Sequence, residues 1–393
     1  MENGNLLHDR QKFSRVVLSS APGSNFTYDQ LIPVGLFCHS IPNPNKQTMT
    51  PPDDIKDRPS GQQRPYPSPT KTGHIAFTPP GTTLQCHTHY SLYGTLEPNS
   101  PNATKPPLVC IHGGPGATSI YMRPFSLLSV DYGVPVILYD QLGCGESTHL
   151  RDKKGDTAFW TLDLFVAELR NLLVGLRIET VDLLGHSWGA CVAVRFAAQQ
   201  PQQQQQPPNS HHPSNRISLR KLIVAQSTAC LSARTPFFRA QMEALPPPHG
   251  PAAALAHRTN TTETPAYASA LKSYSHHHMC RLSPYPPEFT ASMAAMSEDD
   301  TVSSTFALSG DEDNFDILPD IRVLDAGVLP GGLLVFNGGF DQAVDEVVAP
   351  FYELPSLGKG RKEWVRFGLS SHMAILEETE GVLGVVGGFF GRE

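Results

Sequence analysis

Gly185-His186-Ser187-Trp188-Gly189 follows the apolar run Val181-Asp182-Leu183-Leu184 and precedes a run of small residues from Ala190 to Ala198. Strand, Gly-x-Ser-x-Gly, then helix is the context in which this motif carries meaning. Two glycines let the chain turn so sharply that the serine is forced outward, with Oγ exposed at the carboxyl end of a sheet. The next N–H, from Trp188, can then point at a developing oxyanion. A glycine-serine turn alone would give the same five residues, so the reading depends on what else the chain holds.

Working outward, short apolar runs alternate with helical patterns. Leu108-Val109-Cys110-Ile111 reads as a buried strand, Val134 to Tyr139 as another, and Leu222-Ile223-Val224-Ala225 as a third. Gly332 to Phe336 and Trp364 to Phe367 complete the set. Leu162, Phe165, Val166, Leu169 and Leu173 recur at i, i+3, i+4, i+7 and i+11, an amphipathic helix against a sheet. Upstream, Ile75 and Phe77, then Leu84 to Leu92 in alternation, read as an antiparallel hairpin around Pro79-Pro80-Gly81. The fold class is therefore α/β: a mostly parallel sheet flanked by helices. Residues 232–320 lose the alternation and read as helices and loops, Phe237–Leu245, Ala266–Arg281 and Pro287–Met296, forming an inserted, mainly helical cap. The α/β core is assigned to 72–231 and 321–393, closed by a terminal helix from Met373 to Phe390. A Gln/Pro-rich insertion, 199–215, interrupts it, and residues 1–71 form a partly disordered extension.

Composition narrows the function classes. Thirty basic against 37 acidic residues give a net charge of −7, and no basic block occurs, so nucleic acid is not expected as a partner. No apolar stretch is long enough to span a bilayer and the first ten residues are polar, so a soluble cytoplasmic protein is expected. Seven cysteines, an odd number with no Cys-x-x-Cys, read as buried thiols in a reducing compartment. No P-loop or Gly-x-Gly-x-x-Gly is present, and His276-His277-His278 lacks the spaced partners of a metal site and reads as a polar helix face. Neither a cofactor nor a metal is expected.

A serine hydroxyl needs a base, the base an orienting carboxylate, and the oxyanion N–H donors. His372 lies just past the strand Trp364–Phe367 and is the candidate base. Asp341 lies just past the strand Leu333–Phe336 and is the candidate acid, with Asp345, one turn on, as its rival. The interval between Asp341 and His372 accommodates one helix and one strand. The order Ser187, Asp341, His372 is that of α/β hydrolases. His112-Gly113-Gly114-Pro115-Gly116 follows the strand Leu108–Ile111 and offers the second oxyanion donor, Gly114 N–H in preference to Gly113, beside Trp188 N–H.

His112 to Gly116, Asp140-Gln141-Leu142-Gly143-Cys144-Gly145-Glu146-Ser147 and Gly185 to Gly189 together resemble the proline iminopeptidase family, serine aminopeptidases of the α/β-hydrolase fold. Fungal members are also similar in His278-Met279-Cys280-Arg281-Leu282, Glu298 to Val302 and Ser370 to Met373. The resemblance runs from about Gly73 to the C-terminus and implies release of an N-terminal residue, proline favoured, from short peptides or aminoacyl amides. It also implies cap carboxylates that hold the substrate's free amine. Where relatives have Gly-Pro-x-Glu-Phe, this chain has Gly310-Asp311-Glu312-Asp313-Asn314-Phe315, so Glu312 and Asp313 are the candidates. Two alternatives stay open: an esterase or amidase acting on a specialised metabolite, and a non-catalytic binding protein on the same fold.

Overall fold

Four residues of β3 (Leu108–Ile111) show why the sheet is central: none of the four is exposed. Val109 and Ile111 join one apolar cluster, and Leu108 and Cys110 join another on the opposite face. A strand covered on both sides carries a continuous apolar run, which is what the sequence has there. Burying each such side chain gains roughly 1.5–3 kcal/mol. The computed structural model describes residues 59–96, 105–200, 217–309, 316–358 and 360–391.

The other strands are β1 (Lys71–Phe77), β2 (Cys86–Tyr93), β4 (Val136–Tyr139), β5 (Thr180–His186), β6 (Ser218–Ala225), β7 (Gly332–Gly338) and β8 (Lys362–Phe367). They form one sheet in the order β1-β2-β4-β3-β5-β6-β7-β8. β1 and β2 pair antiparallel, as do β2 and β4, and the remaining pairs are parallel. In register, Ile111 lies opposite Tyr139 and Gly185, His186 opposite Ala225, and Gly338 opposite Phe367. Six parallel strands thus end along one edge, and the loops that follow them share one end of the domain. α/β sheets receive ligands at that end.

Helix α1 (Leu162–Gly175), capped by Thr161 Oγ1 accepting from Leu164 N–H, packs on one face with α2 (Trp188–Ala198). The opposite face is covered by the 3-10 helix Ser119–Leu127 and the C-terminal helix Thr379–Phe390. Between β6 and β7 stand α3 (Leu231–Glu243), α4 (His249–Thr259), α5 (Pro265–Tyr274), α6 (Pro287–Glu298) and α7 (Thr301–Ser309). Helices α3, α4 and α5 share a small apolar core of their own around Phe238, Met242, Leu271 and Tyr274.

Local differences from the sequence reading have physical causes. β4 begins at Val136, two residues late, because Pro135 has no N–H to give to a ladder. The last helix is broken at Glu378 (φ −119°, ψ 50°), whose carboxylate turns back to accept Leu369 N–H and Ser370 Oγ–H. The helix expected over Ala266–Arg281 is α-helical only to Tyr274 and widens to a π turn over Ser275–Met279. Of the expected N-terminal extension, residues 1–58 lie outside the described residues. Just after them, Gly61 N–H donates to Glu377 O, and Arg64 bridges Asp131 and Glu380. Most of the Gln/Pro-rich insertion, from 201 on, also lies outside them. The described cysteines are buried and free, and among the described residues no helix is long and apolar enough to cross a membrane.

One buried carboxylate on α1 is unusual. Glu168 is fully buried, accepting from Thr88 Oγ at 2.6 Å and Leu142 N–H at 3.0 Å. Burial raises its pKa to about 7 despite those two donors. A carboxyl whose folded pKa lies above its unfolded one holds its proton longer in the native state. Stability is therefore fullest below the ordinary carboxylate range and falls as pH rises toward 7. Glu168→Gln keeps the shape and removes the titration. Its denaturation midpoint is expected to lose less between pH 5 and 8 than that of the parent protein, measured by urea unfolding.

Candidate active site

Ser187 joins β5 to α2 with φ 53° and ψ −123°, a backbone conformation that only a tightly held turn imposes on a serine. Its N–H donates to Ala225 O at 2.9 Å, and its carbonyl accepts from Ser227 Oγ at 2.8 Å. The flanking glycines leave room for this turn. A Cβ on Gly189 would stand 2.1 Å from Ile111 O, and one on Gly185 2.4 Å from the Cα of Ala190. Both glycines are there for close backbone approach, which the motif's spacing had implied.

At the ends of β7 and β8 the expected base and acid meet. His372 Nδ1 lies 2.7 Å from Asp341 Oδ1, and both side chains are almost fully buried. Asp341 accepts from Ala343 N–H at 2.8 Å and from Gln226 Nε2 at 3.2 Å as well. Asp341 accepts from these other donors on both oxygens, so His372 donates to it from Nδ1. Ser187, His372 and Gly114 line the same cavity. The rival acid, Asp345, is elsewhere: it accepts from Asn337 Nδ2 at 2.8 Å and faces Arg366.

Residues that the sequence reading did not single out hold this geometry. Gln226, just past β6 with φ 52°, donates to Asp341 Oδ2 and to Ser371 O, while its Oε1 accepts Ala374 N–H. One side chain thereby ties the acid to the loop that carries the base. His186, the variable residue before the serine, has Nε2 2.9 Å from His372 O. A carbonyl only accepts, so Nε2 carries the hydrogen and Nδ1 accepts from Tyr121 Oη at 2.8 Å. Tyr121 Oη in turn accepts Gly113 N–H at 2.6 Å. Burial lowers the pKa of His186 to about 3, so it stays neutral and the chain from Gly113 to His372 keeps one polarity. Gly113 N–H is thus already engaged by Tyr121, a partner that the sequence reading did not name.

His278 is no part of a polar helix face. It is half-buried, with its pKa lowered by desolvation to about 4, and its Nδ1 donates to Phe340 O at 2.8 Å. Its carbonyl accepts the N–H groups of both His372 and Gln342. Among the described residues no cluster of side chains could hold a metal ion.

The β4–α1 loop buttresses the site from the other side. Gln141 Nε2 donates to His112 O, and Gln141 Oε1 accepts from the indole N–H of Trp188. Asp140 is buried yet held down to about 2 by His89 and by the N–H groups of Ser119 and Glu146, which outweigh its desolvation. Further along, the loop grips the cap: Asp299 lies 2.5 Å from His149 Nδ1, and Thr305 Oγ accepts Gly155 N–H at 2.7 Å.

Cap and core enclose a cavity of about 170 Å³ over Ser187. Four methionines, Met279, Met293, Met296 and Met373, with Phe306 and Leu271, give it an adaptable apolar wall. A smaller one of about 50 Å³ adjoins it, also reaching Ser187 and His372. Glu312 and Asp313, expected to meet a substrate amine, lie outside the described residues.

A model of the α/β-hydrolase fold family matches residues 106–204. Proline iminopeptidase of Heyndrickxia coagulans is 29% identical over 72% of this chain and 90% of its own length. That of Clostridium botulinum is 26% identical over 77% of this chain and 94% of its own. Among solved structures, VinJ is similar at 31% identity and a TM-score of 0.63, covering 82% of this chain and 99% of VinJ. The proline iminopeptidase of Mycobacterium smegmatis is similar at 26% identity and a TM-score of 0.66, over 81% of this chain and 98% of that one. The sheet order, the serine turn and relatives that match along nearly their whole length lead to one conclusion: this chain is an α/β-hydrolase-fold hydrolase belonging to the proline iminopeptidase family.

Proposed function

We propose that the protein is a serine hydrolase that releases an N-terminal residue, proline first, from short peptides or aminoacyl amides. The observation that carries this reading is His372, paired with Asp341 and lining the same cavity as Ser187. Ser187 Oγ attacks the acyl carbon while His372 Nε2 takes its proton, and the C–N bond breaks as that proton passes to the leaving amine. Asp341 holds the imidazole in the required tautomer and stabilises its charge. The N–H groups of Gly114 and Trp188 receive the oxyanion, each worth a few kcal/mol, roughly 3 by analogy with other oxyanion holes. Water, activated by the same histidine, then frees the acid and restores the serine. The name shared by the relatives supports proline as the residue removed. Glu312 or Asp313 is proposed to receive the substrate amine.

A second reading has its own support. Among the described residues no Asp or Glu lines the cavity, and its wall is rich in methionine. That surface suits an acyl group without a positive charge, as in an esterase or amidase acting on a specialised metabolite. A panel of prolyl-naphthylamide, alanyl-naphthylamide, prolyl ester and simple acyl esters separates the two. The aminopeptidase reading expects prolyl-naphthylamide to give the highest kcat/KM. Turnover confined to acyl esters lacking an amine would reject it.

A further inference from the structure

Arg234 sits where the two cavities over Ser187 meet. It lies on α3, one turn after Leu231, and residues three apart share a helix face. Both Leu231 and Arg234 line both cavities, together with Gly114, Ser187, Gln342 and His372. The cavities differ in character. The larger has the methionine wall, whereas the smaller adds Gln226, Ser227 and Thr228 to Arg234 and Gln342. Among the described residues neither cavity is lined by an Asp or a Glu, and Arg234 is the single Lys or Arg in either lining. Its guanidinium lies 5.8 Å from the ring centre of Phe238, and no ion pair of Arg234 occurs among the described residues. A half-buried guanidinium lining the cavities that also reach Ser187 is a fork of donors suited to a carboxylate.

We infer that Arg234 binds the free carboxylate of the leaving group, so that the preferred substrates are dipeptides whose second residue ends in a carboxylate rather than an amide or arylamide. The inference rests on the aminopeptidase reading above and adds the leaving-group side to it. The ring of the N-terminal prolyl residue occupies the methionine-walled cavity, and the departing amino acid occupies the smaller polar one. When the C–N bond breaks, the amine nitrogen takes its proton from His372, and the carboxylate stays on Arg234 until release. Charge at that carboxylate is the same before and after the step, so Arg234 selects and orients the substrate without joining the proton transfers.

The test compares prolyl-glycine with prolyl-glycinamide, which differ only in that charge. The wild-type enzyme is expected to favour the free dipeptide in kcat/KM by roughly 10- to 100-fold, the range for a hydrogen-bonded charge. Arg234→Leu is expected to bring the ratio close to one, and Arg234→Lys to restore part of it. Thermal melts of both variants report folding separately. A parallel fall on both substrates with the ratio kept, or a wild-type ratio already near one, overturns the inference and leaves the aminopeptidase reading standing. No turnover of either compound by the wild-type enzyme rejects that reading, and the inference with it.

Discussion

Ser187→Ala is expected to lower kcat/KM by roughly 10⁵- to 10⁶-fold on whichever substrate of the panel the enzyme prefers. Nothing else in the site can replace the lost oxygen. The other serine and threonine hydroxyls that line the cavities, of Ser227, Thr228, Ser275 and Ser303, already donate to the carbonyls of Ser187, Cys230, Leu271 and Asp300. The variant should fold, because alanine removes only Oγ from a turn held by backbone bonds to Ala225 and Ala190. Activity assays with a melting curve, and mass spectrometry after a fluorophosphonate probe, check both points. A covalent adduct on the wild-type protein but not on the variant is the expected outcome. An adduct on neither would favour a binding protein, and an active variant would reject Ser187 as nucleophile.

The second large effect is expected at Asp341. Four hydrogens point at its two oxygens, from His372, Ala343, Gln226 and, at 3.4 Å, Gly338. Asn has one acceptor oxygen and one donor nitrogen, so either placement of the amide sets a donor against a donor. With its nitrogen toward His372, the imidazole adopts the tautomer with hydrogen on Nε2, which cannot take a proton from serine. With its nitrogen toward Gln226, that glutamine must turn and forfeit its bonds to Ser371 O and Ala374 N–H. Asp341→Asn is expected to cut kcat roughly 10⁴-fold, as in serine proteases with the same constellation. KM should move far less, since the carboxylate lines neither cavity. A loss under tenfold would show that the acid is not Asp341, and Asp345→Asn would then be the control to make.

The family and the nucleophile turn were legible because their signals are local. A strand buried on both faces needs an unbroken apolar run, and a sharp turn needs glycines where a Cβ would meet backbone, as at Gly185 and Gly189. Asp341 and His372 could be proposed because each follows directly on a strand end. The supporting residues carried no such mark. Gln226 and His278 look like ordinary polar residues until three loops are brought together around them.

The order of strands and helices, the α/β class and the position of the serine are therefore properties of the chain as written, set by backbone sterics and hydrophobic periodicity over a few residues. Which of two nearby aspartates faces the histidine, which glycine N–H is taken by a tyrosine, and which charged side chain lines the cavities were decided only in three dimensions. Each depends on angstrom-scale distances between segments far apart in sequence, and no local pattern encodes those distances.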